Sequence, residues 1–191
     1  MRAKSLALFI AAGFCALVFC GSAHADAVVG KPAPAFVAST LDGKTFDLST
    51  LKGKVVVLHF WATWCAPCRE EMPALEAVWR QDHGKGLEVL AISVDRPRAR
   101  GDVDQVMKYF SFPAALLSAV SKNDFGTLGG IPVTYVIDKE GNLSAVLTPD
   151  TQPLTAAGLA DQVKNLLEAK AESKPETKTE TKTDAPPDAK P

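Results

Sequence analysis

Two nearly unbroken apolar runs, residues 55–61 (Val-Val-Val-Leu-His-Phe-Trp) and 87–94 (Leu-Glu-Val-Leu-Ala-Ile-Ser-Val), dominate the pattern of this chain. Runs of β-branched and aromatic residues without alternation are what a strand covered on both faces requires. Between them, residues 67–83 read as a helix, with Pro67 in the tolerated first turn and Gly84 as the stop; Pro73 inside it costs one backbone hydrogen bond and bends the axis. Ahead of them, residues 36–41 and 45–48 flank Asp42-Gly43-Lys44 and predict a β-hairpin, because Asp-Gly is a strong turn signal. Downstream, Val103, Val106, Met107 and Phe110 recur at helical spacing in 102–110, and Phe112-Pro113 ends that element. A short strand is expected at 116–117 and a helical turn at 122–127, leading to Gly129-Gly130. Residues 133–137 and 143–147 predict an antiparallel hairpin. An amphipathic helix over 155–170 buries Leu159, Val163, Leu166 and Leu167. The sum is an α/β sheet with an antiparallel edge.

The two ends stand apart from this pattern. Residues 1–25 carry Arg2 and Lys4, an apolar run from Leu6 to Cys20, and Ala23-His24-Ala25, which together predict a secretory signal peptide; retention as an uncleaved anchor is the alternative. The apolar run is short for a membrane span, which needs about 20 residues. Phe19 ahead of Cys20 is too bulky for a lipoprotein cleavage site. Residues 171–191 hold no large apolar side chain, and Lys174, Lys178 and Lys182 alternate with Glu172, Glu176, Glu180 and Asp184. Such a segment has no core to bury and is expected to be a disordered, solvating tail. What remains, 26–170, is the size of one domain within the 191-residue chain. With 21 Lys and Arg against 22 Asp and Glu, the charge balance gives no reason to expect nucleic acid or an anionic surface as partner.

Chemistry concentrates at Cys65-Ala66-Pro67-Cys68, where the first apolar run meets the helix. Cys15 and Cys20 fall within the leader, so the exported chain holds one thiol pair. A bridge between residues three apart closes a loop too short to add much stability. Two cysteines with only His59 and His83 elsewhere in the exported chain do not make a zinc site, and no metal is expected. A thiol at the start of a helix faces unpaired N–H groups and the positive end of the macrodipole, which favour its thiolate, the species that attacks disulfides. A second thiol three residues on can resolve the mixed disulfide.

From about Val29 to Leu167 the chain resembles the thioredoxin superfamily, and within it the exported TlpA/ResA/CcmG-like thiol–disulfide reductases. The resemblance is carried by Leu41-Asp42-Gly43-Lys44, Leu51-Lys52-Gly53-Lys54, the run from Phe60 to Pro73, and Gly130-Ile131-Pro132-Val133-Thr134-Tyr135-Val136-Ile137-Asp138. It implies a thioredoxin-like α/β fold, a central mixed sheet flanked by helices with an added N-terminal β-hairpin. It implies Cys65 as nucleophile and Cys68 as the more buried resolving thiol, joined as a redox-active disulfide when oxidised. Pro132 matches a cis-proline opposite that disulfide, and Ile131 before it offers backbone to an extended substrate strand. Trp64 and Pro67 join the expected substrate-binding surface. Glu71, three residues beyond Cys68, occupies the place of an active-site acid, for raising thiol pKa values and relaying a proton to Cys68. His59 stands where thioredoxin has a buried aspartate; an imidazole can act as a buried base, or be a core histidine hydrogen-bonded to backbone.

The resemblance further implies client proteins as partners, apocytochrome c haem-site or oxidase copper-site cysteines among them, a membrane thiol carrier of the DsbD/CcdA type as electron donor, a monomer in the periplasm or other extracytoplasmic space, and no cofactor. Ala66-Pro67 lacks a cation that would over-stabilise the thiolate, so the pair is expected to be comparatively reducing. Two other classes compete. A thiol peroxidase would carry Pro-x-x-x-Thr-x-x-Cys, but that register before Cys65 holds Leu58 and Ala62. A redox-inert module holding Cu(I) on the two thiols is chemically feasible, with no methionine- or histidine-rich motif to support it.

Overall fold

A computed structural model describes residues 27–126 and 128–169. The expected leader (1–25), the expected tail (171–191), Cys15, Cys20 and Thr127 lie outside the described residues. One mixed sheet holds seven strands: β1 (Phe36–Thr40), β2 (Thr45–Asp47), β3 (Val55–Trp61), β4 (Leu87–Ser93), β5 (Ala114–Asn123), β6 (Val133–Ile137) and β7 (Leu143–Leu147). Their order is β2-β1-β5-β4-β3-β6-β7. Helices α1 (Ala66–Asp82), α2 (Arg100–Met107) and α3 (Ala156–Glu168) complete the fold.

The run at 55–61 becomes the strand its composition demands. All seven residues of β3 are buried, with β4 parallel on one side and β6 antiparallel on the other. Because side chains alternate across a strand, Val55, Val57 and Trp61 join one core with Met72 and Leu75 of α1, and Val163 of α3. Val56, Leu58 and Phe60 join a second core on the opposite face, with Phe36, Phe125 and Tyr135. There Phe60 meets Phe36 and Tyr135 edge-to-face, at centroid distances of 6.1 and 5.9 Å, the arrangement that aromatic quadrupoles favour. His59 shares the parity of Val57 and Trp61 and so belongs to the helix-bearing face.

Helix α1 starts where the chain provides an N-terminal cap. Cys65 is extended (φ −87°, ψ 101°), its Sγ accepts the Cys68 N–H, and Pro67 occupies the first turn, where no N–H is missed. The helix runs on through Pro73 to Asp82. Gly86, at φ 105°, then takes the left-handed conformation that turns the chain into β4. The Asp42-Gly43 turn forms as expected, with Gly43 at φ 84° and β1 and β2 antiparallel across it.

The stretch after α2 differs from its local pattern. In place of a two-residue strand and a helical turn, residues 114–123 form the longest strand, β5. Its second half is held by β1, with Phe36 opposite Asn123 and Ala38 opposite Val120. That partner lies more than seventy residues away in sequence, so polar Ser121 and Lys122 extend because the β1 ladder satisfies their backbone, not because their own pattern demands it. Instead of a helical turn, Asn123 Oδ1 accepts the Phe125 N–H and Phe125 drops into the aromatic core. At the other end of the sheet the lead-in is ordered. Gly30 donates to the Leu143 carbonyl, the Leu143 N–H returns to the Lys31 carbonyl, both at 2.8 Å, and Pro32 bridges to Asn142.

Leu58 is wholly buried at the centre of the second core. Leu58→Ala is expected to cost about 2–5 kcal/mol through lost transfer energy and the cavity left behind, measured as a shift in the urea midpoint at unchanged m-value.

Candidate active site

Cys65 and Cys68 are joined as a disulfide, with Cα atoms 5.3 Å apart. Cys65 keeps 7% of its surface exposed while Cys68 has none, the asymmetry expected of an outer and an inner sulfur. Cys65 Sγ accepts the Cys68 N–H at 3.2 Å. In the reduced form the same donor, with the positive end of α1 behind it, favours a thiolate at Cys65.

The sheet brings a second element to this pair. Phe60 of β3 lies opposite Val133 of β6, so Pro132 falls beside the end of β3, next to the loop that carries Cys65. The Ile131–Pro132 peptide bond is cis, as the resemblance implied. Ile131 packs on the core that contains both cysteines. Trp64, 69% exposed, lines an apolar depression with Val94, Leu117, Leu128 and Ile131. Pro67 is exposed at the start of α1. The outer sulfur, the exposed indole and the cis-proline thus share one end of the sheet.

On the inner side, two ionisable groups face each other. Glu71 presents Oε2 3.9 Å from His59 Nδ1, with His59 wholly buried and the Glu71 side chain 13% exposed. His59 does not bond to backbone; its Nδ1 stands 2.8 Å from the Thr134 hydroxyl on β6. Burial pushes the Glu71 carboxyl up to about 7, partly offset by the Leu154 N–H. Burial also pulls His59 down to about 3, so the imidazole is uncharged at neutral pH.

A model of the AhpC/TSA family matches residues 29–146, well over half of the chain. The chain belongs to the AhpC/TSA family. It is similar to the thiol-disulfide oxidoreductase ResA of Bacillus cereus, 36% identical over 117 residues that make up 60% of this chain and 66% of that protein; the match thus spans just under two thirds of that relative. Among solved structures it is similar to a thiol:disulfide interchange protein, described as a thioredoxin family protein, from Chlorobium tepidum TLS (TM-score 0.61, 32% identity, 75% of this chain and 99% of that one). A secreted thiol-disulfide isomerase from Corynebacterium glutamicum superimposes with a TM-score of 0.60 at 26% identity, over 71% of this chain and 85% of that one. The fold is therefore thioredoxin-like. Within this AhpC/TSA-family chain, Leu58 and Ala62, which stand in the register of the peroxidatic proline and threonine, are both buried in the core.

The structure adds one residue that no sequence signal marked. Asp95, 6% exposed just after β4, accepts from the Thr63 N–H and the Thr63 hydroxyl, both at 2.8 Å, and from the Ser93 hydroxyl at 2.7 Å. This carboxylate clamps the turn between β3 and α1, from which Trp64 and Cys65 project. An aspartate after an apolar strand is too common for its spacing to have revealed the clamp. Among the described residues, no group of three or more His, Cys, Asp or Glu side chains is placed to hold a metal ion.

The opposed shifts of His59 and Glu71 give a signed pH dependence of stability. As pH falls through the ordinary histidine value of 6.5, the unfolded chain binds a proton that the folded protein refuses until about 3, so stability is lost. As pH falls through about 7, folded Glu71 binds a proton that the unfolded chain binds only near 4.5, so stability is gained. Between 4.5 and 6.5 the two oppose each other. Relative to wild type, His59→Leu is expected to gain stability on going from about pH 7 to about pH 5, and Glu71→Gln to lose it, in urea unfolding of the oxidised protein. At the clamp, Asp95→Ala strands the Thr63 N–H and is expected to cost about 1–3 kcal/mol and to slow alkylation of reduced Cys65. Asp95→Asn can offer Oδ1 to the Thr63 N–H and Ser93 hydroxyl and Nδ2 to Thr63 Oγ1, and should retain most of both.

Proposed function

We propose that this protein is an exported thiol–disulfide oxidoreductase that reduces disulfides in client proteins. One observation carries the reading: Cys65 caps a helix and keeps 7% of its residue surface exposed, while Cys68, three residues on, is wholly buried. The names of its relatives agree with that chemistry, the leader read in residues 1–25 supports export, and among the described residues no helix is long and apolar enough to cross a membrane.

In the forward step Cys65 thiolate attacks one sulfur of a client disulfide and the other client sulfur leaves as a thiolate. Glu71, one helical turn beyond Cys68, accepts the Cys68 proton; Cys68 then attacks Cys65 Sγ and expels the second client sulfur. Two electrons pass from the dithiol to the client, and the Cys65–Cys68 disulfide forms. A carboxyl held near 7 suits this role, because it gives up and takes a proton at the working pH. Trp64 and Ile131 supply apolar contact, and the backbone at the cis bond pairs with an extended client segment, a mode that binds without strong sequence choice. Glycine-free, uncharged Ala66-Pro67 between the sulfurs favours the reducing direction. Cysteines of apocytochrome c haem sites or of oxidase copper sites suit such a reductant, which acts as a monomer and is recharged by a membrane thiol carrier of the DsbD/CcdA type.

The test is capture. Full-length Cys68→Ser, expressed with its leader, is expected to accumulate mixed disulfides through Cys65, which mass spectrometry identifies; Cys65→Ser should accumulate none. Reduced wild type should transfer electrons to a model protein disulfide, and Glu71→Gln should lose the pH dependence of that exchange near neutrality. Absence of any Cys65-linked adduct, with the wild type inert toward protein disulfides, would remove the reading.

A further inference from the structure

Behind the redox pair lies a polar group that the exchange steps leave idle. His59 is wholly buried on the helix-bearing face of β3, between Val57 and Trp61 along that side of the strand. Its Nδ1 stands 2.8 Å from the Thr134 hydroxyl and 3.9 Å from Glu71 Oε2, whereas Nε2 has no hydrogen-bond partner. An imidazole here costs folding stability that an aliphatic side chain would not. Around the Glu71 carboxylate stand His59 from β3 and the Leu154 backbone N–H from the segment before α3; Cys68 lies one turn earlier on the same helix, and Thr134 of β6 contributes a hydroxyl to His59. Among the described residues no lysine or arginine reaches ion-pair distance of Glu71; the one basic side chain within 4 Å of its carboxylate is the His59 imidazole.

We propose that His59 is a positioning residue for Glu71: an uncharged imidazole whose Nδ1–H donates to Thr134 Oγ1, so that the ring is held with its positive, Nδ1–H side 3.9 Å from the carboxylate and keeps that carboxylate able to exist as an anion inside the protein. The inference rests on the reading of Glu71 as the acceptor of the Cys68 proton. It assigns the tautomer, with the proton on Nδ1 and Nε2 bare, so that the orphaned atom is a lone pair and not a buried N–H. The proton on Nδ1 stays in place throughout. The proton that moves is the one from Cys68, to a Glu71 oxygen, and no electron passes through the ring. Replacing the ring with an aliphatic group of similar size leaves Glu71 just as buried but without that dipole, which disfavours the anion.

Carbon-13 NMR titration of the Glu71 carboxyl in the full oxidised chain reads this directly, with Glu71→Gln identifying the resonance. The expected wild-type midpoint is about 7. His59→Leu should move it upward by about one unit, a tenfold change in the ionised-to-protonated ratio, and His59→Phe, a planar ring without the N–H, should move it the same way. In exchange assays the acid limb of the rate profile should shift with it. A His59→Leu midpoint equal to or below that of wild type overturns the proposal. If His59→Leu does not fold, His59→Phe decides: a rise supports the proposal and no rise overturns it. The titration needs no turnover, so an inert wild type would remove the oxidoreductase reading while leaving this result standing on its own.

Discussion

The antiparallel ladder between β3 and β6 turns two separate stretches of chain into a site. β3 delivers the cysteines just beyond its C-terminal end, and the cis-proline immediately precedes β6. The register of that one ladder sets Pro132 beside the loop that carries Cys65. It also sets Thr134 directly opposite His59, which is why a side-chain hydrogen bond can join them. A slip of one residue would turn His59 and Thr134 to opposite faces and part the proline from the sulfurs. Burial on both faces makes such a slip expensive, since Val57 and Trp61 would exchange places with Leu58 and Phe60.

Around this ladder the electrostatics follow from desolvation. Neither His59 nor Glu71 has an opposite charge to lean on, so each moves toward its neutral form. The shifts run in opposite directions because one group is neutral when protonated and the other when deprotonated. The outer sulfur experiences the reverse: a backbone N–H and the start of a helix, both of which welcome negative charge. Fewer than two helix turns therefore separate a place that favours an anion from one that resists it, which is the gradient a proton-coupled exchange between two thiols needs.

The elements with strong local signals were legible in the chain. Unbroken apolar runs predicted β3 and β4, Asp42-Gly43 predicted the first hairpin, and Thr155 to the end of α3 showed the amphipathic period. The cysteine spacing at a strand–helix junction pointed to an attacking and a resolving thiol, and the family resemblance implied that Cys68 is the more buried of the two. What stayed hidden depends on distant partners. The second half of β5 is a strand because β1 lies beside it, and Ser118, Ser121 and Lys122 say nothing of that. Asp95 clamps Thr63 across the gap between β3 and β4, a contact made by sheet pairing rather than by sequence spacing. His59 could be singled out as an odd polar residue on an apolar strand, but its partner is a hydroxyl on β6, which only the ladder reveals.

The margins of the sheet carry a consequence of their own. β2 is only three residues long, and Lys44 stands at its mouth with Asp42. The opposite margin is partly occupied by the lead-in, whose hydrogen bonds with Leu143 consume groups that β7 would otherwise offer. Unsatisfied strand margins recruit other extended chains and seed aggregates. A protein proposed to handle incompletely folded polypeptides meets such chains constantly, and here the available backbone lies beside the sulfurs while the flanks of the sheet are poor templates for stickiness.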